Sequence, residues 1–401
     1  MKYVVILGDG MADEPIEELG YKTPLQVARK EHMDNLARMG EVGLVNTIPN
    51  GLSPGSDTAN LSVLGYDPNK YYTGRSPLEA LSIGVNMKDS DVSFRCNFVT
   101  LSEDELYDEK TIIDHSADEI SSEEAQELLH YLEKHLASEV IRFYPGTSYR
   151  HAIIWDNGSM NVKLTPPHDI LGKVIKDHLP NGDNSNKIKE MMTLSYELLK
   201  DHPINIKRRE QGLLPANSIW IWGEGTKPIL KSFYEKYGKK GAMISAVDLL
   251  KGIAIASDMK NINVDGATGN IHTNFEGKAE AAINTLKSGD DFVYVHIEAP
   301  DECGHRGEMD NKIKSIELID TKVVKYIKEE LDNIGEDYKI MILPDHPTPL
   351  SIRTHTNKPV PYLIYSSNNK IQSNLCYDEI SGKESGKVIL EGHKLMDYFF
   401  S

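Results

Sequence analysis

The sequence has little of three things, and each shortage excludes a class of protein. Basic residues are few: 44 Lys and Arg stand against 61 Asp and Glu, a net charge of −17, so the chain lacks the positive surface that nucleic acid or an anionic membrane requires. The three cysteines, Cys96, Cys303 and Cys376, are odd in number and widely spaced, which predicts reduced thiols in a cytoplasmic protein. The apolar run at residues 3–7 is too short for a signal peptide or a membrane span. A small anionic substrate, which needs only a few local cations, stays compatible with this composition.

Apolar residues make up 39% of the 401, which suffices for a large core and suggests two domains. Amphipathic helical patterns, such as residues 277–289 and 311–331, separate short apolar runs that suit buried parallel strands. These runs are residues 3–7, 218–222, 292–297, 339–345 and 361–366. The alternation predicts an α/β fold, an open and mostly parallel sheet with helices on both faces.

The middle of the chain departs from this alternation. Residues 91–101 alternate like a half-exposed antiparallel strand, and residues 151–155 and 160–164 predict a hairpin around an Asn-Gly turn. We therefore expect an inserted α+β domain at 88–180. The predicted core is then discontinuous, formed by residues 1–87 and 181–401.

Metal-ligating side chains follow several of the apolar runs. Asp301 and His305 are four residues apart, so one helical turn would place both on the same side. The other candidates after predicted strands are Asp9, Asp345, His346 and His355. In an open α/β sheet, ligands bind outside the carboxyl ends of the strands, where these groups would converge.

Three carboxylates brought together in this way would repel each other unless cations neutralise them. Six carboxylate and imidazole groups fit two divalent ions, an arrangement that is used for phosphoryl chemistry. The sequence therefore predicts a two-metal site.

Ser56 is the candidate nucleophile for such a site. It opens a short predicted helix in "GSDTANLSVLG", where backbone N–H groups and the helix dipole favour a phosphate. A nearby metal would lower the pKa of its hydroxyl. The alternative from spacing alone is that Ser56 is an ordinary helix N-cap.

Five segments of the sequence carry a joint resemblance to a known family. They are "LGDGMAD", "SPGSDTANLSVLGYDP", "GRSPLEA", "EAPDECGH" and "PDHPTP…RTHT". In this order they resemble the cofactor-independent phosphoglycerate mutases of the archaeal-type branch, within the alkaline phosphatase superfamily. The resemblance covers most of the chain.

The resemblance implies an alkaline-phosphatase-like core with two divalent ions (Mn, Mg or Zn) and an inserted substrate-binding domain. The implied ligand sets are Asp9, Asp345, His346 and Ser56 for one ion, and Asp301, His305 and His355 for the other. Ser56 would take the phosphoryl group of 3-phosphoglycerate and return it to the other hydroxyl of the bound glycerate. The product would be 2-phosphoglycerate, formed without 2,3-bisphosphoglycerate.

Such a substrate also demands cations for its carboxylate and phosphate, and the arginine fork matches both groups. The candidates are Arg75, Arg150, Arg208 and Arg209, with Lys240 as a further cation. His168 and Asp169 in "TPPHDILGK" resemble a family motif, although "PHD" before a helix is also typical of a turn and cap. His115 stands in "DHSAD", where a segment rich in glycine and arginine is expected for this branch. His115 is therefore a candidate substrate contact, or the substrate differs.

Alternative functions share the same motifs, because the motifs specify phosphoryl transfer and not the acceptor. A homoserine kinase-like phosphotransferase would use another acceptor, and a phosphate monoesterase would use water. A different class is a metal-stabilised relative without activity that binds a ligand. The sequence carries no signal for the oligomeric state.

Overall fold

The computed structural model describes residues 1–103 and 105–401. They form two compact units: a core unit of Met1–Tyr72 with Ile229–Ser401, and a middle unit of Thr73–Pro228. In the described part of the chain, no helix combines the length and the apolar character that crossing a bilayer requires.

The secondary structure is numbered in chain order. The strands are β1 Lys2–Gly8, β2 Glu41–Val45, β3 Asp91–Leu101, β4 Ile112–Asp114, β5 Ile141–Tyr144, β6 Arg150–Asp156, β7 Val162–Lys163, β8 Asn181–Gly182, β9 Ser218–Thr226, β10 Gly241–Ile244, β11 Lys260–Ile262, β12 Phe292–Ile297, β13 Tyr338–Leu343, β14 Val360–Ser366 and β15 Val388–Ile389. The α-helices are α1 Pro24–Val27, α2 Glu31–Arg38, α3 Ser56–Val63, α4 Pro68–Tyr71, α5 Ser76–Ser82, α6 Ser122–Leu136, α7 Ser185–Leu199, α8 Pro203–Glu210, α9 Phe233–Tyr237, α10 Asp248–Ala256, α11 Phe275–Lys287, α12 Ala299–Arg306, α13 Met309–Leu318, α14 Lys325–Ile334, α15 Glu379–Glu384 and α16 Leu395–Phe400. A π-helical segment, Ile319–Val324, joins α13 to α14, and short 3₁₀ helices lie at Glu17–Leu19, Tyr107–Glu109, Pro167–Ile170, Ile175–His178 and Gly392–Lys394.

The core sheet has the strand order β11-β10-β12-β1-β13-β14-β2-β15. Its centre is parallel: β1 pairs with β12 on one side and with β13 on the other. β14 is antiparallel to both of its neighbours, β13 and β2. The predicted open, mostly parallel sheet is confirmed, with one reversed strand that the apolar run at 361–366 does not reveal.

Both faces of this sheet are covered, which is why its strands are continuous apolar runs. On one face, Val4, Ile6 and Val293 pack in a buried cluster with residues of α2, α11, α13 and α14. On the other face, the Tyr3 ring lies against Phe399 and Phe400 of α16, with centroids 5.6 and 4.9 Å apart. The predicted helices on both faces are therefore present.

The boundaries of the middle unit lie outside the predicted limits of 88–180. The apolar run 218–222, expected in the core sheet, is part of β9 and pairs antiparallel with β3. α5, before residue 88, belongs to the same unit. An apolar run shows that a strand is buried, but it does not show which sheet the strand joins.

The middle unit corrects two further expectations. β3 is buried along nearly its whole length, because it lies between β6 and β9 instead of exposing one face. The predicted hairpin does not form: β6 pairs with β3 and β5, whereas β7 pairs with β8. The Asn-Gly signal marks a turn, but the turn leads out of the sheet.

Arg208 has a structural position in the middle unit, unlike the substrate contact predicted for it. It is buried, and its guanidinium donates to Glu124 Oε2 (2.5 Å), Ala117 O (2.7 Å) and Leu214 O (3.0 Å). The Ala117 carbonyl belongs to a turn in which residues 117–119 all have positive φ. Arg208 therefore stabilises a backbone conformation that non-glycine residues rarely adopt.

We expect Arg208→Ala to lower the free energy of unfolding by roughly 3 kcal/mol, since it strands a buried carbonyl, a partly buried carbonyl and a partly buried carboxylate. The matched control is Arg209→Ala, whose ion pair with Glu103 is more exposed and should contribute less than about 1 kcal/mol. Urea unfolding followed by circular dichroism measures both. Equal losses of stability in the two variants would contradict the structural role of Arg208.

Candidate active site

One edge of the core sheet gathers the predicted metal ligands, because β1, β12 and β13 are parallel and end there. Asp9 follows β1, and its N–H donates to Ile297 O at the end of β12 (2.9 Å). Asp345 and His346 follow β13, and Asp301 lies in the first turn of α12. The reversed strand β14 begins at this edge, so His355, which precedes it, lies there too.

The first candidate ligand group is arranged around His346 Nε2. This atom is 3.1 Å from Ser56 Oγ, 3.4 Å from Asp345 Oδ2 and 3.6 Å from Asp9 Oδ1. Ser56 Oγ is also 3.4 Å from Asp9 Oδ2. The structure thus brings together all four residues of the first predicted ligand set.

The second candidate group consists of Asp301, His305 and His355. The Nε2 atoms of the two histidines are 2.9 Å apart, and they lie 3.2 and 3.3 Å from the Asp301 carboxylate oxygens. His305 Nδ1 is 3.0 Å from the Arg353 carbonyl and donates to it, so Nε2 is directed at Asp301. The His346 and His355 rings, with centroids 3.9 Å apart, join the two groups.

Burial and mutual repulsion dominate the electrostatics of this edge. Burial, together with the charges of Asp345 and Asp301, raises the pKa of Asp9 well above its usual range. Burial opposes ionisation of Asp301 as well, but hydrogen bonds from His305 and His355 hold its pKa well below the usual range. The same hydrogen bond with Asp301 raises the pKa of His305 to about 9. Ionisation of all these carboxylates together is therefore unfavourable unless positive charge beyond that of their own histidines compensates it.

These residues fit divalent cations. Donor atoms of Asp9, Asp345 and His346 lie within 4.8 Å of one another, and so do those of Asp301, His346 and His355. Asp9 Oδ1 is buried and has no hydrogen-bond partner among the residues that the structure describes, which is costly unless a cation takes that position. Carboxylate oxygen with imidazole nitrogen suits Zn²⁺ and similar ions.

Ser56 is the first residue of α3, as predicted, but it does not act as the helix cap. The N-cap position belongs to Gly55, and the Ser56 hydroxyl is directed to His346 and Asp9. In the first turn of α3, the Asp57 carboxylate accepts from the Thr58 N–H (2.9 Å). The hydroxyl of Ser56 is thus placed among candidate metal ligands.

Sequence reasoning missed the residues that orient the carboxylates. His296 is fully buried, which lowers its pKa to about 3, so the ring is neutral and donates from Nε2 to Asp9 Oδ2 (3.0 Å). Its Nδ1 lies 3.1 Å from Ser245 Oγ. Thr348 Oγ1 donates to Asp301 Oδ1 (2.5 Å). A histidine inside an otherwise apolar strand was the signal for His296, because such a position is costly without a partner.

A buried ion pair fixes the loops that carry the ligands. Lys312 Nζ donates to Asp13 Oδ2 (2.7 Å) and to the carbonyl of Thr348 (2.8 Å). Asp13 also accepts from the Leu350 N–H (3.2 Å). These bonds tie the loop after β1 to the loop after β13, and so hold Asp9 and His346 in register.

The middle unit holds a separate set of cations around Glu79. The Nε atoms of Arg75 and Arg95 are each 2.8 Å from a Glu79 carboxylate oxygen. The Arg95 guanidinium stacks over the Trp222 ring at 4.2 Å. Burial works against ionisation of Glu79, but Arg95 and Arg75, with Arg150 in addition, lower its pKa. Two arginines thus pair with one carboxylate, and the charge of a third also acts on it.

Two predicted histidines extend this set. The His115 ring lies 5.8 Å from Tyr149 and 6.3 Å from His168, between ring centroids, and His168 lies 5.3 Å from Trp222. Burial lowers the pKa of His168, which therefore carries little charge at neutral pH. We call the arginines Arg75, Arg95 and Arg150 the cationic cluster, with His115 and His168 as its aromatic neighbours.

Four predicted substrate residues lie elsewhere or point outward. Asp169 is exposed beside His168 in a 3₁₀ turn, the arrangement that favours a turn role. Arg208 is buried as described, and Arg209 binds Glu103 and the carbonyl of Lys200. Lys240 precedes β10, so it lies at the amino-end edge of the core sheet, opposite the candidate ligands. Arg95, which was not predicted, lies beside the predicted Arg75 at Glu79.

Comparisons with known proteins agree with the site. A family model described as 2,3-bisphosphoglycerate-independent phosphoglycerate mutase matches residues 37–205. A protein of that name from Methanothrix thermoacetophila is 49% identical over 99% of this chain and 98% of its own length. A probable enzyme of that name from Geobacter sulfurreducens is 48% identical over 99% of both chains.

A solved structure supports the same family. The cofactor-independent phosphoglycerate mutase of Thermoplasma acidophilum superposes with a TM-score of 0.67 at 27% identity, over 100% of this chain and 99% of that one. The resemblance carried by the five motifs is therefore confirmed, and the chain belongs to the 2,3-bisphosphoglycerate-independent phosphoglycerate mutase family.

Proposed function

We propose that this chain interconverts 3-phosphoglycerate and 2-phosphoglycerate in the cytoplasm, with Ser56 as the nucleophile and without 2,3-bisphosphoglycerate. The observation that carries the proposal is the position of Ser56 Oγ, 3.1 Å from His346 Nε2 and 3.4 Å from Asp9 Oδ2 at the start of α3. The relatives named as mutases over nearly the whole chain support this substrate over homoserine.

The proposed cofactors are two divalent ions, Mn²⁺, Mg²⁺ or Zn²⁺. Asp9, Asp345, His346 and Ser56 would hold one, and Asp301, His305 and His355 the other. Such ions neutralise a phosphoryl group and lower the pKa of a bound hydroxyl. The unpartnered Asp9 Oδ1 and the two histidine nitrogens 2.9 Å apart support these assignments.

The proposed reaction has two transfers that mirror each other. Ser56 Oγ loses its proton and bonds to the phosphorus of 3-phosphoglycerate, the bond from phosphorus to the C3 oxygen breaks, and that oxygen takes up a proton. The glycerate stays bound and turns. Its C2 hydroxyl then loses its proton and bonds to the phosphorus, the Ser56–phosphorus bond breaks, Ser56 Oγ takes up a proton, and 2-phosphoglycerate leaves. The N-terminus of α3 favours the phosphoserine, because its dipole and backbone N–H groups attract an anion.

We propose that the middle unit binds the substrate, and that the cationic cluster binds the carboxylate and phosphate of the substrate. Arg95 is held by Glu79 and stacked on Trp222, so its fork has a fixed orientation. A fixed guanidinium loses little entropy when it binds a carboxylate or phosphate. Two buried polar atoms, Asn97 Oδ1 and His115 Nδ1, have no hydrogen-bond partner within the described part of the chain, which supports a polar ligand here.

Replacing the nucleophile tests the proposed function. We expect Ser56→Ala to lower the rate of 2-phosphoglycerate formation roughly 10³-fold or more, because the covalent step is lost. The assay couples 2-phosphoglycerate to enolase in the presence of Mn²⁺. The control is Ser53→Ala, an exposed serine of the preceding loop, which should behave like the unmodified protein.

Homoserine with ATP, and phosphatase assays without a second acceptor, run in parallel. Serine-dependent phosphohomoserine with no isomerisation would replace glycerate by homoserine as the substrate. Serine-dependent phosphate release alone would make the protein a monoesterase. Full mutase activity in Ser56→Ala would overturn the proposed nucleophile.

Removing the metal should destabilise the core unit, since the buried carboxylates then repel each other without compensation. We expect chelation to lower the melting temperature and Mn²⁺ to restore it. His305→Ala should weaken Mn²⁺ binding at one of two sites more than about 100-fold, beyond the usual effect of an outer-shell residue. Titration calorimetry measures the number and affinity of sites, with the exposed His130→Ala as control. A single site that His305→Ala leaves unchanged would refute the second ligand set.

Substitution of Arg95 tests the role of the cationic cluster. We expect Arg95→Lys to raise KM for 3-phosphoglycerate at least about 10-fold, because a single ammonium cannot replace the fork. The control is Arg142→Lys, also in a strand of the middle unit and paired with Asp91 (3.0 Å). Initial rates over a range of substrate concentrations give KM. An unchanged KM in Arg95→Lys, with the fold intact, would exclude Arg95 from substrate binding.

A further inference from the structure

Asn60 is a polar side chain in the interior of the nucleophile helix α3, and it is fully buried. Its Nδ2 donates to the carbonyl of Ser56 (2.8 Å) and to Asp345 Oδ2 (2.8 Å). Its Oδ1 accepts from the hydroxyl of Tyr294 (2.6 Å). One side chain thus contacts the residue of the nucleophile, a candidate metal ligand and a strand of the core sheet.

The environment determines which way the amide points. Ser56 O and Asp345 Oδ2 are both acceptors, so the NH₂ group must face them. Reversing the amide would set Oδ1 against two oxygens and leave both without their donor. Tyr294 OH is then the donor that Oδ1 requires. Both amide hydrogens and the amide oxygen are therefore engaged in a single arrangement.

Helix formation does not account for an asparagine at this position. Asparagine is a poorer helix former than alanine or leucine, and burying an amide is unfavourable unless its hydrogen bonds are made. The residues on either side of Asn60 in α3, Ala59 and Leu61, are apolar and also buried. An apolar residue at position 60 would therefore be compatible with the surroundings. What an apolar residue could not supply is the neutral donor to Asp345.

We propose that Asn60 is a positioning residue that fixes Asp345 relative to Ser56, and that Tyr294 acts through Asn60 by fixing its amide. The inference rests on the proposed function, because it assigns Ser56 as nucleophile and Asp345 as ligand. Tyr294 lies on β12 and Asp345 follows β13, so Asn60 connects α3 to the two strands on either side of β1. Loss of the amide would free the Asp345 oxygen to turn and would let the start of α3 shift.

The test uses full-length Asn60→Ala, Tyr294→Phe and the double variant. The matched control is Tyr377→Phe, which removes a buried tyrosine hydroxyl bonded to the carbonyl of Pro361 in β14 (3.2 Å). The first readout is Mn²⁺ affinity by calorimetry on chelator-treated protein. The second is the separation of kcat from KM for 3-phosphoglycerate. Melting temperatures with and without Mn²⁺ report folding.

We expect Asn60→Ala to weaken Mn²⁺ binding about 10- to 100-fold, and to lower kcat with little change in KM. Tyr294→Phe should have a smaller effect of the same kind in the unmodified protein and no further effect in Asn60→Ala. Tyr377→Phe should change neither readout. Such non-additivity is what a residue acting through Asn60 produces and a general loss of packing does not.

Unchanged Mn²⁺ affinity and kcat in a folded Asn60→Ala would overturn the inference. So would equal effects of Tyr294→Phe in both backgrounds. If Asn60→Ala does not fold, the test is the comparison of Mn²⁺ affinity between Tyr294→Phe and Tyr377→Phe. Equal affinities in these two variants would overturn the inference. The metal titration needs no substrate, so a protein without mutase activity whose Mn²⁺ affinity still depends on Asn60 would refute only the proposed substrate.

Discussion

The rest of the structure depends on the burial of three carboxylates side by side. Asp9, Asp345 and Asp301 are almost completely shielded from water at one edge of the core sheet, and their charges repel. Such a cluster is unstable unless the fold holds it rigidly and positive charge compensates it. Parallel strands meet the first need, because β1, β12 and β13 end together in fixed register. Divalent ions are the natural means to meet the second.

The groups that orient these carboxylates are neutral. His296, Asn60 and Thr348 each donate to one of them, and none adds a positive charge. A lysine or arginine in the same places would neutralise the cluster and weaken cation binding. Lys312, which does lie close, is paired with Asp13, so its charge is compensated locally. The protein thus fixes the geometry of the ligands and leaves their charge for a cation.

The sequence could predict this edge because each ligand follows an apolar run, and strand ends are visible in one dimension. It could not predict which strands pair or which side chains bond to each other. β9 has the composition of a core strand but pairs with β3 in the middle unit, and Arg208 looks like a surface cation but is buried against Glu124. Sequence reasoning missed Asn60 and the partner of His296 because their hydrogen-bond partners are distant in the sequence; a histidine in an apolar strand signals that a partner exists but not which residue it is. Periodicity reports burial, whereas pairing and orientation depend on contacts across the fold.

The reversed direction of strand β14 helps to place ligands of both groups at the same edge of the sheet. Because β14 is antiparallel to β13, the connecting residues 344–359 stay at the carboxyl edge instead of crossing the sheet. That single connection carries Asp345 and His346 of the first ligand group, Thr348, and His355 of the second. A parallel strand would have required the chain to cross to the opposite edge before β14 begins, which would have carried the residues just before that strand, His355 among them, away from Asp301. The antiparallel pair is therefore what allows one short segment to serve both groups.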